Sequence, residues 1–149
     1  MIYIASDHAG FELKEKLKVF LAESGHQVED LGNFVYDEND DYPDFIRRAA
    51  DAVARDPERN RGIILGGSGQ GEAICANRYK GVRAVVYFGE GLGEQIIRLS
   101  REHNNANILS LGARFVSEEE AKKAVKLWLE TEFKGEERHK RRINKIDNF

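Results

Sequence analysis

The stretch Gly62–Arg78, GIILGGSGQGEAICANR, joins a short apolar run to a glycine-rich loop and then to a helical pattern. Ile63, Ile64 and Leu65 have the unbroken apolar character of a strand covered on both faces. Four glycines within Gly66–Gly71 follow, and the pattern then reads as a helix through about Arg78. A strand turned directly into a helix is the unit from which parallel α/β sheets are built.

The same alternation extends in both directions. Upstream, Ile2–Ala5 reads as a first strand, and Phe11–Glu23 as a helix whose Leu13, Leu17, Phe20 and Leu21 share one face. Ser24-Gly25 stops that helix, and His26–Leu31 alternates as a strand does. Gly32–Tyr42 is acidic and irregular and reads as a surface loop. Pro43 then opens a helix to about Arg55, with Phe45, Ile46, Ala49, Ala50 and Val53 on one side. The third strand is Gly62–Leu65. Downstream come a strand at Val82–Tyr87, a helix at Gly93–Glu102 and a strand at Asn107–Leu111. Ser117 and Glu120 form a capping box for a last long helix with Ala121, Ala124, Val125 and Trp128 inward. This alternation predicts one domain over residues 1–149: a three-layer αβα sandwich around a Rossmann-like open parallel sheet of five strands, with a helical tail from Gly135 to Phe149. In such folds ligands bind beyond the carboxyl ends of the strands, where the winding direction reverses. The loops to read are therefore Ser6–Gly10, Gly66–Glu72, Phe88–Gly91 and Gly112–Phe115.

Composition narrows the function class. A chain of 149 residues with a net charge of −3 lacks the basic excess of a nucleic-acid or membrane binder. The single cysteine, Cys75, forms no intramolecular disulfide, which fits a reducing cytoplasm. Met1–Ser6 runs straight into a strand pattern without a secretory leader, and no run approaches the roughly 18 apolar residues of a membrane span.

The glycine loop is neither the dinucleotide fingerprint nor a P-loop, because no Lys-Ser/Thr closes it. It reads either as a tight turn needing positive φ or as an anion hole of consecutive N–H groups at a helix N-terminus. Glu72 stands three residues past Gly69, the N-cap to N3 spacing that the helix dipole favours for an acid. Asp7-His8 follows the first strand, where Asp7 either starts a helix or lies beside the glycine loop if strands one and three are neighbours. His103 ends a helix, where a histidine often serves only the dipole. Arg138 and Arg142 are four apart on one face of the tail, beside His139 and Arg141. Cys75 reads as a small buried hydrophobe. No histidines have metal-ligand spacing and no nucleophile elbow is present. An acid, histidines, arginines and an anion hole suit proton transfer next to the carbonyl of a phosphorylated substrate.

Five ordered motifs carry a resemblance over nearly the whole chain: IASDHAGFELK at Ile4–Lys14, DYPDF at Asp41–Phe45, GGSGQGEAICANR at Gly66–Arg78, SREHNNANILSLGAR at Ser100–Arg114 and ERHKRRINKI at Glu137–Ile146. The chain resembles the type B ribose-5-phosphate isomerases, in the family that also holds galactose-6-phosphate isomerase subunits. The resemblance implies an aldose–ketose isomerisation through an enediolate, without metal or cofactor. Many members use a cysteine just before the glycine loop as base; Gly66 stands there, and Glu72 falls on the position of the glutamate base of a second branch. By the same resemblance, His103 and Asp7 open the furanose ring. Gly67, Ser68, Gly69, Gln70 and Gly71 hold the enediolate oxygens, and Asn104 a sugar hydroxyl. His8, Arg114, Arg138 and Arg142 grip the phosphate, and Tyr42 flanks the sugar. Glu136-Glu137 stand where many members carry glycines. A homodimer, or a dimer of such dimers, is implied, with shared active sites and the tail at 135–149 crossing the interface. The expected substrate is ribose 5-phosphate. A six-carbon sugar phosphate such as galactose 6-phosphate or allose 6-phosphate is the alternative, and a non-catalytic sugar-phosphate sensor the third reading.

Overall fold

Alternation along each strand divides the core between two faces of one sheet. Ile2 and Ile4, Ile63 and Leu65, and Leu109 and Leu111 face one way; Ala5, Ile64 and Ile108 face the other. In the computed structural model, which describes residues 1–89, 91 and 93–149, this sheet consists of β1 (Ile2–Ser6), β2 (Val28–Asp30), β3 (Arg61–Gly66), β4 (Ala84–Tyr87) and β5 (Ile108–Gly112). The strands pair in parallel in the order β2-β1-β3-β5-β4. Helices α1 (Phe11–Glu23), α4 (Gly93–Glu102) and α5 (Glu118–Glu130) cover the first face with Leu17, Ile97 and Trp128; α2 (Pro43–Ala54) and α3 (Gln70–Ala76) cover the second with Ile46, Val53 and Ala76. The helical tail is α6 (Glu137–Asp147). The sheet is thus a three-layer α/β sandwich, as its sequence pattern predicts.

Several boundaries differ from the sequence reading for local reasons. The strand expected at His26–Leu31 is confined to Val28–Asp30, because His26 and Gln27 are exposed. Helix α3 ends at Ala76 rather than Arg78: the Asn77 side chain turns away to pair with Ala84 of β4, donating to its carbonyl (3.0 Å) and accepting from its N–H (2.7 Å). Val82 and Arg83 therefore precede β4 instead of opening it. The capping box forms in full, with Ser117 Oγ accepting from the Glu120 N–H and Glu120 accepting from that of Ser117. Of the Phe88–Gly91 loop, Glu90 lies outside the described residues. Cys75 is half-buried, its thiol less enclosed than a core hydrophobe.

The Gly32–Tyr42 segment is the main departure, for it is not all surface. Lys14, fully buried on α1, donates to Asp30 Oδ2 (2.6 Å), which Lys18 also reaches (2.6 Å). The other oxygen, Asp30 Oδ1, accepts the Gly32 N–H (2.9 Å). Asn33 is buried just beyond, its N–H on Ser6 O (2.8 Å). A buried ion pair thus ties α1 to the end of β2, and the backbone of Gly32 and Asn33 ties that end to Ser6 of β1. Removing one partner of such a pair strands the other charge and costs about 3–5 kcal/mol. Asp30→Ala should accordingly approach that loss in urea unfolding, because buried Lys14 (and Lys18) then keep only the half-exposed Glu15, 2.8 Å from Lys14 Nζ, as counter-charge. Lys14→Met should lose clearly less.

Candidate active site

Strands β1 and β3 are neighbours in register from Ile2↔Arg61 to Ser6↔Leu65, so the loops that leave them meet. The winding direction reverses between these two strands, the place where α/β sheets open a crevice. Gly69 adopts the left-handed conformation (φ 76°) and caps α3, which places Glu72 in the first turn. Ser110 Oγ, on β5, donates to Gly69 O (2.6 Å) and holds the loop from below.

Glu72 is buried. Its carboxylate fills the space beside Gly66 that a side chain would need: a Cβ on Gly66 would stand 2.6 Å from Glu72 Oε2 and closer still to Oε1. Burial pushes the Glu72 carboxyl up from the usual carboxylate range; its own backbone N–H opposes this, and nearby Asp7 adds to the rise. The competition between helix dipole and desolvation is therefore won by desolvation. Asp7 is raised for the same first reason, and its Oδ1 accepts the Gly10 N–H (3.1 Å), capping a 3-10 turn at His8–Gly10. The helix-starting and site-lining readings of Asp7 both hold. The rest of the crevice closes around the loop. A Cβ on Gly67 would meet the Arg114 guanidinium at 3.2 Å, and one on Gly71 the Tyr42 phenol at 2.9 Å. Ser68, Gln70, Phe88 and Phe115 form its outer lip.

His8 introduces a residue that local reading overlooked. Its Nδ1 lies 2.7 Å from Asp40 Oδ1, and its backbone N–H donates to the same oxygen (3.1 Å). Asn33 donates its side-chain amide to the second Asp40 oxygen. Asp40 sits in an acidic run, DENDD, that reads as solvated surface; no signal within that run singles out the acid that turns inward. Asp7, His8 and Asp40 could offer three ligand atoms within 4.8 Å of one another. Those atoms are engaged in hydrogen bonds with protein groups, which makes the group a hydrogen-bonded cluster.

The remaining expected residues gather elsewhere. His103 and Asn104 follow α4 and precede β5, at the amino ends of the strands. The His103 ring stacks on His139 of α6 with centroids 4.3 Å apart. Arg138 pairs with Glu136 (3.0 Å), and Arg142 is exposed on the same helix. Asp147 binds Arg83 Nη1 (2.8 Å), fixing the end of α6 beside the start of β4. Asn104, Asp147 and Phe149 line a cavity of about 570 Å³ there. Glu72 and His103 are thus separated by the length of the sheet, roughly 15 Å of strand. One chain brings together Asp7, His8, Tyr42, Gly67–Gly71, Glu72 and Arg114, and holds His103, Asn104, Arg138 and Arg142 apart from them.

Comparison with known proteins identifies the family of this fold. The sequence profile described as Ribose/Galactose Isomerase matches residues 2–146. Ribose-5-phosphate isomerase B of Mycolicibacterium paratuberculosis is 43% identical over 148 residues, covering 99% of this chain and 90% of the relative. The Escherichia coli protein of the same name is 40% identical, covering 97% of this chain and 93% of the relative. Among solved structures, ribose-5-phosphate isomerase B from Mycoplasma genitalium with bound ribulose 5-phosphate superposes with a TM-score of 0.92 at 41% identity, covering 99% of this chain and 93% of that one. The Thermotoga maritima enzyme superposes with a TM-score of 0.89 at 45% identity, with 99% and 97% covered. No helix among the described residues is long and apolar enough to cross a membrane. On the full-length profile match and these identities, the chain belongs to the ribose/galactose isomerase family.

Proposed function

We propose that this chain interconverts ribose 5-phosphate and ribulose 5-phosphate in the cytoplasm, with Glu72 as the base. The observation that carries this reading is a buried carboxyl, its proton affinity raised by burial, set against a loop of backbone N–H groups at a helix N-terminus. Proton removal beside a carbonyl is hard because charge builds up on oxygen as the proton leaves. In the opened aldose, Glu72 takes the proton from C2, and the electron pair forms the C1–C2 double bond while O1 becomes an oxyanion. The N–H groups of Gly67 to Gly71, with Ser68 and Gln70 among them, face that charge; one such preorganised bond is worth about 3–4 kcal/mol of barrier. The O2 proton moves to O1, and Glu72 returns its proton to C1, which completes the ketose. A carboxyl raised toward neutrality is matched to both taking and returning that proton.

Ring opening and phosphate binding draw on both clusters. Asp7 acts at the ring hydroxyls with His103, Asn104 holds a hydroxyl, and His8, Arg114, Arg138 and Arg142 bind the phosphate. Because the two clusters lie at opposite ends of the sheet, His103, Asn104 and the α6 arginines come from a second copy of the chain. The exposed apolar rim of the crevice, with Ile74 at 68%, Phe88 at 58% and Phe115 at 62%, supports a covering partner. The tail at 135–149 then crosses the dimer interface.

Glu72→Gln should reduce turnover of ribose 5-phosphate at least a thousandfold, measured in a coupled assay alongside six-carbon sugar phosphates; retained turnover would remove Glu72 as base. The same change should stabilise the fold at neutral pH. A raised folded pKa means the native state holds its proton more tightly, so stability falls as pH rises from the unfolded value, 4.5, through the folded one. Glutamine escapes that loss, so the melting-temperature gain should appear above this window and vanish below pH 4.5. Gly66→Ala should fold but displace the flexible carboxylate, lowering kcat far more than it changes KM. Glu72→Gln and His103→Ala chains, inactive alone, should regain about a quarter of wild-type activity when co-refolded in equal amounts, because half the dimers carry one intact site. Failure to complement would place each site within one chain.

A further inference from the structure

We propose that Asp40 is the positioning residue of the phosphate-binding end: it holds the His8 ring by Nδ1 so that Nε2–H points outward as a donor to the phosphate. This inference rests on the isomerase reading for the ligand's identity. It rests on geometry for the pairing itself.

Asp40 grips residue 8 twice through one oxygen, at the ring nitrogen (2.7 Å) and at the backbone N–H (3.1 Å). Its side chain is only 6% exposed, whereas that of His8 is 25% exposed, so the carboxylate is the enclosed partner and the ring keeps access to solvent. Asn33 fixes the second oxygen, and Asn33 is itself fastened to Ser6 of β1, the strand from which His8 emerges. Asp40 therefore cannot rotate away from the ring without breaking three hydrogen bonds. With Nδ1 committed, the only nitrogen left for a ligand is Nε2. The groups that face the ring are Asp40 from the loop, Asp7 from the end of β1, Arg114 from the loop after β5 and the Tyr36 ring, edge-on at 6.3 Å.

The chemistry explains why an acid should stand behind a phosphate-binding histidine. A neutral ring with its proton on Nδ1 would offer the phosphate a lone pair at Nε2, which repels it; only the imidazolium donates from both nitrogens. A phosphate monoester gains its second charge near pH 6, close to where an ordinary histidine loses its proton. Unassisted, the cation and the dianion would barely coexist. The hydrogen bond to Asp40 raises the ring's hold on its proton and Asp7 adds to it, against burial and the Arg114 charge. The charge is present below the raised value and lost as pH rises through it, so the overlap with the phosphate dianion extends upward from about pH 6.

The test uses the full chain and reads His8 directly. In wild type, the His8 Cε1–H resonance should titrate above the ordinary histidine value of 6.5; titration at or below it overturns the proposal without any variant. In Asp40→Asn, checked for folding by circular dichroism, the titration should move down by about one pH unit, a tenfold change in proton affinity. KM for ribose 5-phosphate should then rise about tenfold at pH 8 and converge on wild type below pH 6, where both rings are charged, with kcat changing much less. Inorganic phosphate should weaken in parallel when its binding is measured by calorimetry. An unmoved titration, or a KM increase equal at every pH, overturns the proposal by reducing Asp40 to scaffold. If no isomerase activity is found at all, the titration and the inorganic-phosphate binding still decide the matter.

Discussion

The site depends on burying one carboxylate where no side chain competes with it. Burial raises the Glu72 carboxyl above its usual range, yet it stands in the first turn of α3, where the helix dipole and its own N–H favour the charged form. Desolvation prevails because the carboxylate can lie against the backbone of Gly66 at the end of β3, in space that any Cβ would occupy. The neighbouring geometry serves the same placement. The left-handed Gly69 starts the helix at once after the strand, and the Ser110 hydroxyl of β5 anchors that turn to the sheet. The strand sets the position of the loop, the loop sets that of the helix, and the helix delivers the acid.

That placement has an energetic consequence. A carboxylate kept away from water is a local cost at neutral pH, and the surrounding core has to offset it. Two apolar clusters on opposite faces of the sheet do so, and the helices that contribute to them hold Ile46, Val53 and Trp128 fully buried. The rigid α/β scaffold can therefore carry an unfavourable group at its crevice without losing the register of β1 against β3.

Most of the fold was legible because its signals are local. The apolar strand runs, the helix at Phe11–Glu23 and the Ser117 capping box are written in residues a few positions apart, and they fold as read but for the shortened strand at Val28–Asp30. The Asp7–Glu72 crevice followed from adjacency of strands one and three. What escaped reading depends on distant partners. Asn77 ends α3 by pairing with Ala84, and Asp40 leaves an acidic run to bind His8, 32 residues away. Lys14 is buried against Asp30 at the end of β2, 16 residues away, as well as its neighbour Glu15. Charge in a sequence suggests solvent, and only the fold reveals which charges are paired inside.

Topology also sorts the candidate site residues in a way that motif matching does not. In a parallel sheet, a residue just after a strand lies at the carboxyl ends, and a residue between a helix and the next strand lies at the amino ends. Asp7, the Gly66–Glu72 loop and Arg114 belong to the first class, and His103 and Asn104 to the second. Helix α6 joins the second class through the His103–His139 stack and the Arg83–Asp147 pair. Under the proposed function the five-carbon substrate is far shorter than the sheet, so no motion that preserves the fold brings both classes to it within one chain. The dimer proposed above would resolve this through symmetry: if the carboxyl-end cluster of one copy meets the amino-end cluster of the other, the reciprocal contact forms a second, equivalent site. On that view α6 serves catalysis by closing a crevice it does not touch in its own chain.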